Sequence, residues 1–317
     1  MGSSFAYPFY DIVFTNYKNE TDCRIIDNVS NTGIGFRSLF EKTVDFTGSN
    51  VYLSDEQLLS FSGEILHVPT CIGGIVLTYN VPDVFELQLS GQVIAAIFMQ
   101  DITYWDDPAI QANNPGVELP HLKIKPIYRS SGSGTTYVFS DYLCRVCPKW
   151  KKEVGRGVSL NWKPGIVVDR SMMVPVIVGK EVGSIAYTSG EHADIFNLPI
   201  ASVLNKSGKF IYPDNDAIRA TLENLNLPDD MRISLIDSDN ENAYPICCFA
   251  WILLYRNQTD AKSTRSKYKA LHDLLTFMIS PEQQKIAENM SYISLPEEVL
   301  VKTRKIIRSI TWEIRTE

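Results

Sequence analysis

The sequence predicts an α/β protein built on mostly parallel sheets. Apolar runs of strand length alternate with amphipathic runs of helix length from one end to the other. A length of 317 residues suits two domains of ordinary size. Turns rich in glycine and hydroxyl residues recur where a strand-like run gives way to a helix-like one, and that is where open α/β sheets carry their ligands.

Taken in order, residues 4 to 18 set apolar groups at helical spacing behind Ser4 and the early Pro8, which predicts a capped first helix. Arg24 to Asp27 is a strand candidate. Asn31-Thr32-Gly33-Ile34-Gly35 then leads into a helix with Phe36, Leu39 and Phe40 on one face. Val44 to Asn50 reads as strand into turn, and Leu53-Ser54-Asp55-Glu56-Gln57 as a helix cap. Residues 65 to 81 hold a strand pattern interrupted by Gly73-Gly74, followed by a helix from Leu89 to Phe98. Lys123 to Tyr128 is a strand, and Tyr137 to Val154 a helix. Later come a strand at 184–187, a helix at 215–225, a long strand at 244–255, and helices at 266–278, 281–289 and 296–310.

Between the strand ending at Tyr128 and the helix opening at Tyr137 lies Arg129-Ser130-Ser131-Gly132-Ser133-Gly134-Thr135-Thr136. It has the chemistry of an anion cradle. Glycines let backbone amides turn toward a ligand, the helix start leaves N–H groups unpaired, and the arginine supplies a fixed cationic fork. Ser4-Phe5 and Thr32-Gly33 repeat the arrangement at two other predicted helix starts, so one anion can draw on all three.

Charge and composition narrow the partners. A net charge of −7 argues against nucleic acid or an anionic membrane, so any anion site is local. The longest apolar runs, such as Ile246 to Tyr255, are too short to span a bilayer. Six cysteines are too few for a disulfide scaffold, and Cys144 to Cys147 has no second pair at zinc spacing, so neither a metal nor a cofactor is expected. The thiols of Cys144, Cys147, Cys247 and Cys248 read as buried, and Cys23 and Cys71 are a candidate pair after export. His67, His121, His192 and His272 are scattered and read as solvated or core histidines. Asn-x-Ser/Thr sequons at Asn19, Asn28, Asn205, Asn257 and Asn289 lean toward a secreted protein whose export signal is not in this chain.

In the order of its motifs the chain resembles the periplasmic phosphate-binding proteins of ABC transporters along nearly its whole length. The resemblance rests on Gly2-Ser3-Ser4-Phe5, Thr43-Val44-Asp45-Phe46, residues 53–58, Ile72-Gly73-Gly74-Ile75-Val76, residues 102–110, residues 114–117, and above all Arg129 through Tyr142. It implies a two-lobed fold, each lobe a mostly parallel sheet flanked by helices, closing by hinge motion on phosphate in the cleft between them. It places lobe I at 1–77 plus 253–317 and lobe II at 78–252. The implied ligand contacts are Ser4, the Phe5 amide, Thr32, Asn50, Arg129, Ser133, Gly134 and Thr135.

Three departures from the family follow. Asn50 stands where the family usually has an aspartate that accepts a phosphate proton, and Ser131 where an acidic residue usually pairs with the arginine. Loss of both negative charges predicts weaker rejection of sulfate. The family normally has a strand before its first Gly-Ser turn. Here either the chain is an excerpt of a longer protein or the alternating Ile310 to Ile314 takes part of that role.

Other functions fit less well. Ser133 has no local His or acidic partner for a hydrolase, and no Gly-Lys-Ser/Thr exists for a P-loop, so the expectation is a monomeric binding protein and not an enzyme. The expected partners are inorganic phosphate or a similar oxyanion and, as the resemblance implies, a membrane permease, with no nucleic acid, outside the cytoplasm. An oxyanion-sensing ectodomain of a larger protein is the alternative.

Overall fold

A computed structural model describes residues 2–130, 132–223 and 225–314. The chain forms two compact units. One contains the residues up to Ile72, Asn226–Ser234, and those from Phe249 onward; the other contains Gly73–Leu225 and Leu235–Cys248. The chain therefore passes between units within strands, and a short excursion at 226–234 also packs with the first unit.

The first unit opens with β1 (Gly2–Ser3), α1 (Tyr7–Glu20), β2 (Val29–Ser30), α2 (Thr32–Phe40), β3 (Thr47–Ser49), α3 (Asp55–Leu59) and the first half of β4 (Ile65–Tyr79). The second unit takes the rest of β4, then β5 (Gln88–Leu89), α4 (Gly91–Phe98), α5 (Pro108–Asn113), β6 (Lys125–Arg129), α6 (Gly134–Val146) and α7 (Pro148–Glu153). It continues with β7 (Ile166–Val168), α8 (Met173–Lys180), β8 (Ser184–Ser189), α9 (Gly190–Ile195), β9 (Ser202–Leu204), β10 (Phe210–Ile211) and α10 (Asn215–Arg219). Strand β11 (Cys247–Tyr255) returns to the first unit, which ends with α11 (Arg265–Met278), α12 (Pro281–Glu288), β12 (Tyr292–Ile293) and α13 (Glu297–Arg308).

In the first unit β1 lies parallel between β2 and β3, and β3 runs antiparallel to β11 through Ser49–Trp251, Gly48–Ile252 and Thr47–Leu253. Gly2 is required where β1 meets β3. Its φ is +149°, and a Cβ there would lie 2.5 Å from the Gly48 backbone. The expected strand at Arg24 to Asp27 is absent. On its β2 side β1 pairs with Val29 and Ser30, so that ladder starts there. Helix α1 buries Phe9, Tyr10, Val13, Phe14 and Tyr17. Its N-cap is Ala6, without a side-chain cap, so Ser4 lies ahead of the helix and does not cap it as expected. Ser54 does cap α3 in a capping box with Gln57.

In the second unit β4 runs antiparallel to β8, and β8, β6 and β7 run parallel. Strand β4 is not interrupted at Gly73-Gly74; all fifteen of its residues are buried. A Cβ at Gly74 would stand 3.3 Å from Ile218 Cδ1, a tight contact at which the isoleucine would have to shift by a few tenths of an ångström. The helix expected over 137–154 divides into α6 and α7 because Pro148 lacks the N–H that would continue it. Residues 310–314 do not join β1: Thr311 bridges to Asn257, and the Asn257 amide donates to the Glu313 carbonyl at 2.8 Å. All six cysteines are free thiols, so the candidate Cys23–Cys71 pair is not formed.

Candidate functional site

The eight residues singled out fall into two groups of four, one in each unit. In the second unit β6 delivers Arg129 at its C-terminal end, and α6 begins five residues later at Gly134. Ser133 is the N-cap, its hydroxyl accepting the Thr136 N–H at 3.2 Å. The N–H groups of Gly134 and Thr135, first in the helix, have no acceptor among the described residues. They are donors carrying the positive end of a 13-residue helix.

Arg129 is 3% exposed. Its Nε donates to the Val168 carbonyl at 3.2 Å, one Nη to the Asp169 carbonyl at 2.9 Å, and the other Nη to the Ser171 hydroxyl. Three of the five guanidinium N–H groups are thus used, and none meets a carboxylate among the described residues. Burial pushes the guanidinium below the usual arginine value, with Tyr187 and Asp169 pulling it back up. An arginine is a cation at neutral pH, so this is a buried positive charge with two guanidinium N–H groups that have no acceptor among the described residues. Ser131, where the family's acidic partner would stand, lies outside the described residues.

Tyr187 ties this half together. Its hydroxyl accepts the Arg129 backbone N–H at 3.1 Å and lies 2.7 Å from Thr136 Oγ1, while its ring stacks on Phe139 at 4.3 Å. Burial raises its own pKa to about 12, so it stays a neutral phenol. One side chain from β8 thereby sets both the arginine strand and the helix start.

In the first unit α2 begins at Thr32, with Asn31 as the N-cap accepting the Ile34 N–H at 2.8 Å. The Thr32 and Gly33 amides have no acceptor among the described residues. Asn50, 1% exposed, follows β3. Its Oδ1 accepts from Ser3 Oγ at 2.8 Å and Thr32 Oγ1 at 3.4 Å, and its Nδ2 is buried without a partner. The amide is therefore oriented to donate. Ser4 is buried, whereas the Phe5 amide is engaged by Ser3 Oγ at 3.2 Å and the Phe5 carbonyl by Tyr292 Oη at 2.7 Å.

The structure adds residues that the sequence did not single out: Ser3, which orients Asn50, and Ser171 and the 168–169 carbonyls, which hold Arg129. The Ser3 position was visible inside the Gly2-Ser3-Ser4-Phe5 motif. Nothing in the local sequence marks Ser171. A cavity of about 420 Å³ in the first unit reaches Gly2 and Ser3 but touches none of the eight residues; Tyr10, Phe14, Phe46, Leu271 and Leu274 give it an apolar wall. Among the described residues no cluster of His, Cys, Asp or Glu suits a metal ion, and no helix is long and apolar enough to cross a membrane. Of the sequons, Asn205 is buried, with its amide donating to the Glu241 carbonyl at 2.9 Å, so it is no glycan acceptor in this fold.

Comparison with known proteins identifies the family. A family model described as the PBP superfamily domain matches residues 1–282. The phosphate-binding protein PstS of Pasteurella multocida is 32% identical over 306 residues, covering 95% of this chain and 87% of the relative. The phosphate-binding protein PstS of Methanocaldococcus jannaschii is 33% identical over 262 residues, covering 77% and 67%. A solved high-affinity periplasmic phosphate-binding protein bound with phosphate shares the fold at a TM-score of 0.77 and 18% identity, over 96% of this chain and 92% of that one. The chain belongs to the PBP superfamily and, within it, to the family of the phosphate-binding proteins PstS.

Proposed function

We propose that this protein is a receptor that binds inorganic phosphate, or a closely related tetrahedral oxyanion, for uptake by an ABC transporter. The observation that carries the reading is Arg129: a buried cation held by carbonyls and a hydroxyl, with no carboxylate partner among the described residues and two donors to spare. Free amides at the starts of α2 and α6 and the unpartnered Asn50 Nδ2 supply further donors. Such a set replaces the hydration shell of an oxyanion and offers nothing to a cation or an apolar ligand. Membership of the PstS family supports phosphate as the first choice.

In this reading the two units are lobes. Ser4, Phe5, Thr32 and Asn50 contribute from lobe I, and Arg129, Ser133, Gly134 and Thr135 from lobe II. Strands β4 and β11, within which the chain crosses, act as hinges. The protein works as a monomer outside the cytoplasm and passes its ligand to a membrane permease. It is a receptor, not an enzyme.

Equilibrium dialysis of the purified chain against phosphate, with sulfate and arsenate as competitors, tests the reading. Retention of phosphate at one site per chain, with arsenate and measurably sulfate competing, is the expected result. Failure to retain any tetrahedral oxyanion contradicts it.

A further inference from the structure

Beside Arg129 the second unit holds two buried polar groups that the preceding site does not use. The parallel register of β6 and β8 ends with Ile127 opposite Ala186; Arg129 and Thr188 each lie two residues further on, and by strand alternation each shares the face of Ile127 and Ala186. Thr188 is 1% exposed and its hydroxyl has no partner. One turn into α9, His192 is also 1% exposed. Its Nδ1 lies 2.5 Å from Ser189 Oγ, and its Nε2 has no partner. Burial, and next the charge of Arg129, lower its pKa to about 4, so the ring is neutral in ordinary buffers and within electrostatic reach of the guanidinium.

The tautomer follows from the hydrogen bonds. Ser189 Oγ already accepts the His192 backbone N–H at 3.4 Å, and its own proton is free to go to Nδ1, which leaves the ring proton on Nε2. A buried N–H and a buried O–H, both unmet, thus sit with an arginine that has two unmet N–H groups. Buried donors are nearly always paired in folded proteins, and a shared acceptor accounts for all of them together.

We propose that His192 Nε2–H and Thr188 Oγ–H are two further donors to the oxyanion held by Arg129. This inference rests on the receptor reading above and extends its ligand set to β8 and α9. Both groups are neutral donors, so they accept a fully ionised oxyanion without adding charge, consistent with a site in which Asn50 also donates.

Phosphate titration of His192→Phe, His192→Gln, Thr188→Val and Arg129→Met tests it. His192→Phe keeps a ring without the N–H and is expected to lose about tenfold or more in phosphate affinity; Thr188→Val, isosteric without the hydroxyl, loses several-fold. His192→Gln, which restores a terminal N–H, recovers most of the loss. Nitrogen NMR of the unmodified chain gives a second readout independent of folding in the variants: the Nε2 resonance is expected to shift on adding phosphate, with Nδ1 little changed. If Arg129→Met abolishes binding while His192→Phe and Thr188→Val bind as tightly as the unmodified chain and Nε2 does not move, the inference is overturned and the receptor reading stands. If the unmodified chain binds no oxyanion, both fall.

Discussion

The Ser3 hydroxyl donates to the side-chain carbonyl of Asn50 at 2.8 Å, and this bond decides which end of the Asn50 amide faces away from the protein's own hydroxyls. With Thr32 Oγ1 also at 3.4 Å from Oδ1, the carbonyl is occupied and the NH₂ remains. Under the proposed function, this position would donate a proton to the ligand in a hydrogen bond, where the resemblance implies an aspartate that accepts one.

The first prediction follows from that orientation. Binding of phosphate is expected to stay flat or strengthen as pH rises through the second ionisation of phosphate, and sulfate is expected to compete. Asn50→Asp places a carboxylate against the ligand, so sulfate, which has no proton to offer, should lose affinity by about 2 kcal/mol or more while monobasic phosphate is retained. Competition calorimetry on the two proteins checks it; equal sulfate affinity contradicts it.

Removing the cation is the second. Arg129→Ala should weaken oxyanion binding by about 2 to 5 kcal/mol, because a desolvated anion is left without its counter-charge. Saturating phosphate should raise the unfolding temperature of the unmodified chain and leave that of the variant nearly unchanged. Differential scanning calorimetry with and without phosphate reads both.

A third prediction isolates the helix amide from the side chains. Proline is favoured at the first helical position, and the preceding Ser133 already has φ −80° and ψ 119°, the extended conformation that a following proline prefers. Gly134→Pro therefore keeps α6 while deleting one donor. Phosphate affinity should drop by about 1.5 to 3 kcal/mol, the range for a hydrogen bond to a charged group, with far-ultraviolet circular dichroism unchanged. Unchanged affinity would remove the Gly134 amide from the site.

Acid sensitivity gives the fourth. Burial lowers the pKa of His67 to about 3 and that of His192 to about 4; the nearby Arg232 and Arg129, respectively, push in the same direction. Both start from 6.5 in the unfolded chain, so between pH 6.5 and about 4 the unfolded state binds protons that the folded state refuses. Stability is full above 6.5 and falls as pH drops, by about 1.4 kcal/mol per pH unit for each histidine. His67 Nε2 accepts the Leu53 N–H at 3.0 Å, a role that a glutamine oxygen can fill, so His67→Gln should flatten the decline. Urea midpoints measured across this window test the sign and the slope.

The parts legible in the sequence were those fixed by local pattern. The Arg129 to Thr136 run, the cap at Ser54, and the long apolar stretches of β4 and β11 read directly because helix starts and buried strands have compositional signatures. What the sequence hid depends on contacts between distant residues. The brevity of β1 confines its pairing with β2 to Val29 and Ser30, which no run of residues reports. Helix α9 was missed because its six residues are too few to show periodicity. The carbonyl cradle of Arg129 involves backbone atoms of Val168 and Asp169, whose side chains carry no sign of it. His192 reads as one more scattered histidine, because nothing in the local sequence reports that its Nε2 is buried without a partner.

The measurement that bears most directly on the account is isothermal titration of the purified chain with phosphate, in parallel with its Arg129→Ala variant, at pH values below and above the second ionisation of phosphate. The account predicts saturable binding of one phosphate per chain at both pH values, no weaker at the higher, and loss of about 2 to 5 kcal/mol of binding free energy in the variant. Binding that is absent, or that survives intact without the Arg129 guanidinium, would contradict it.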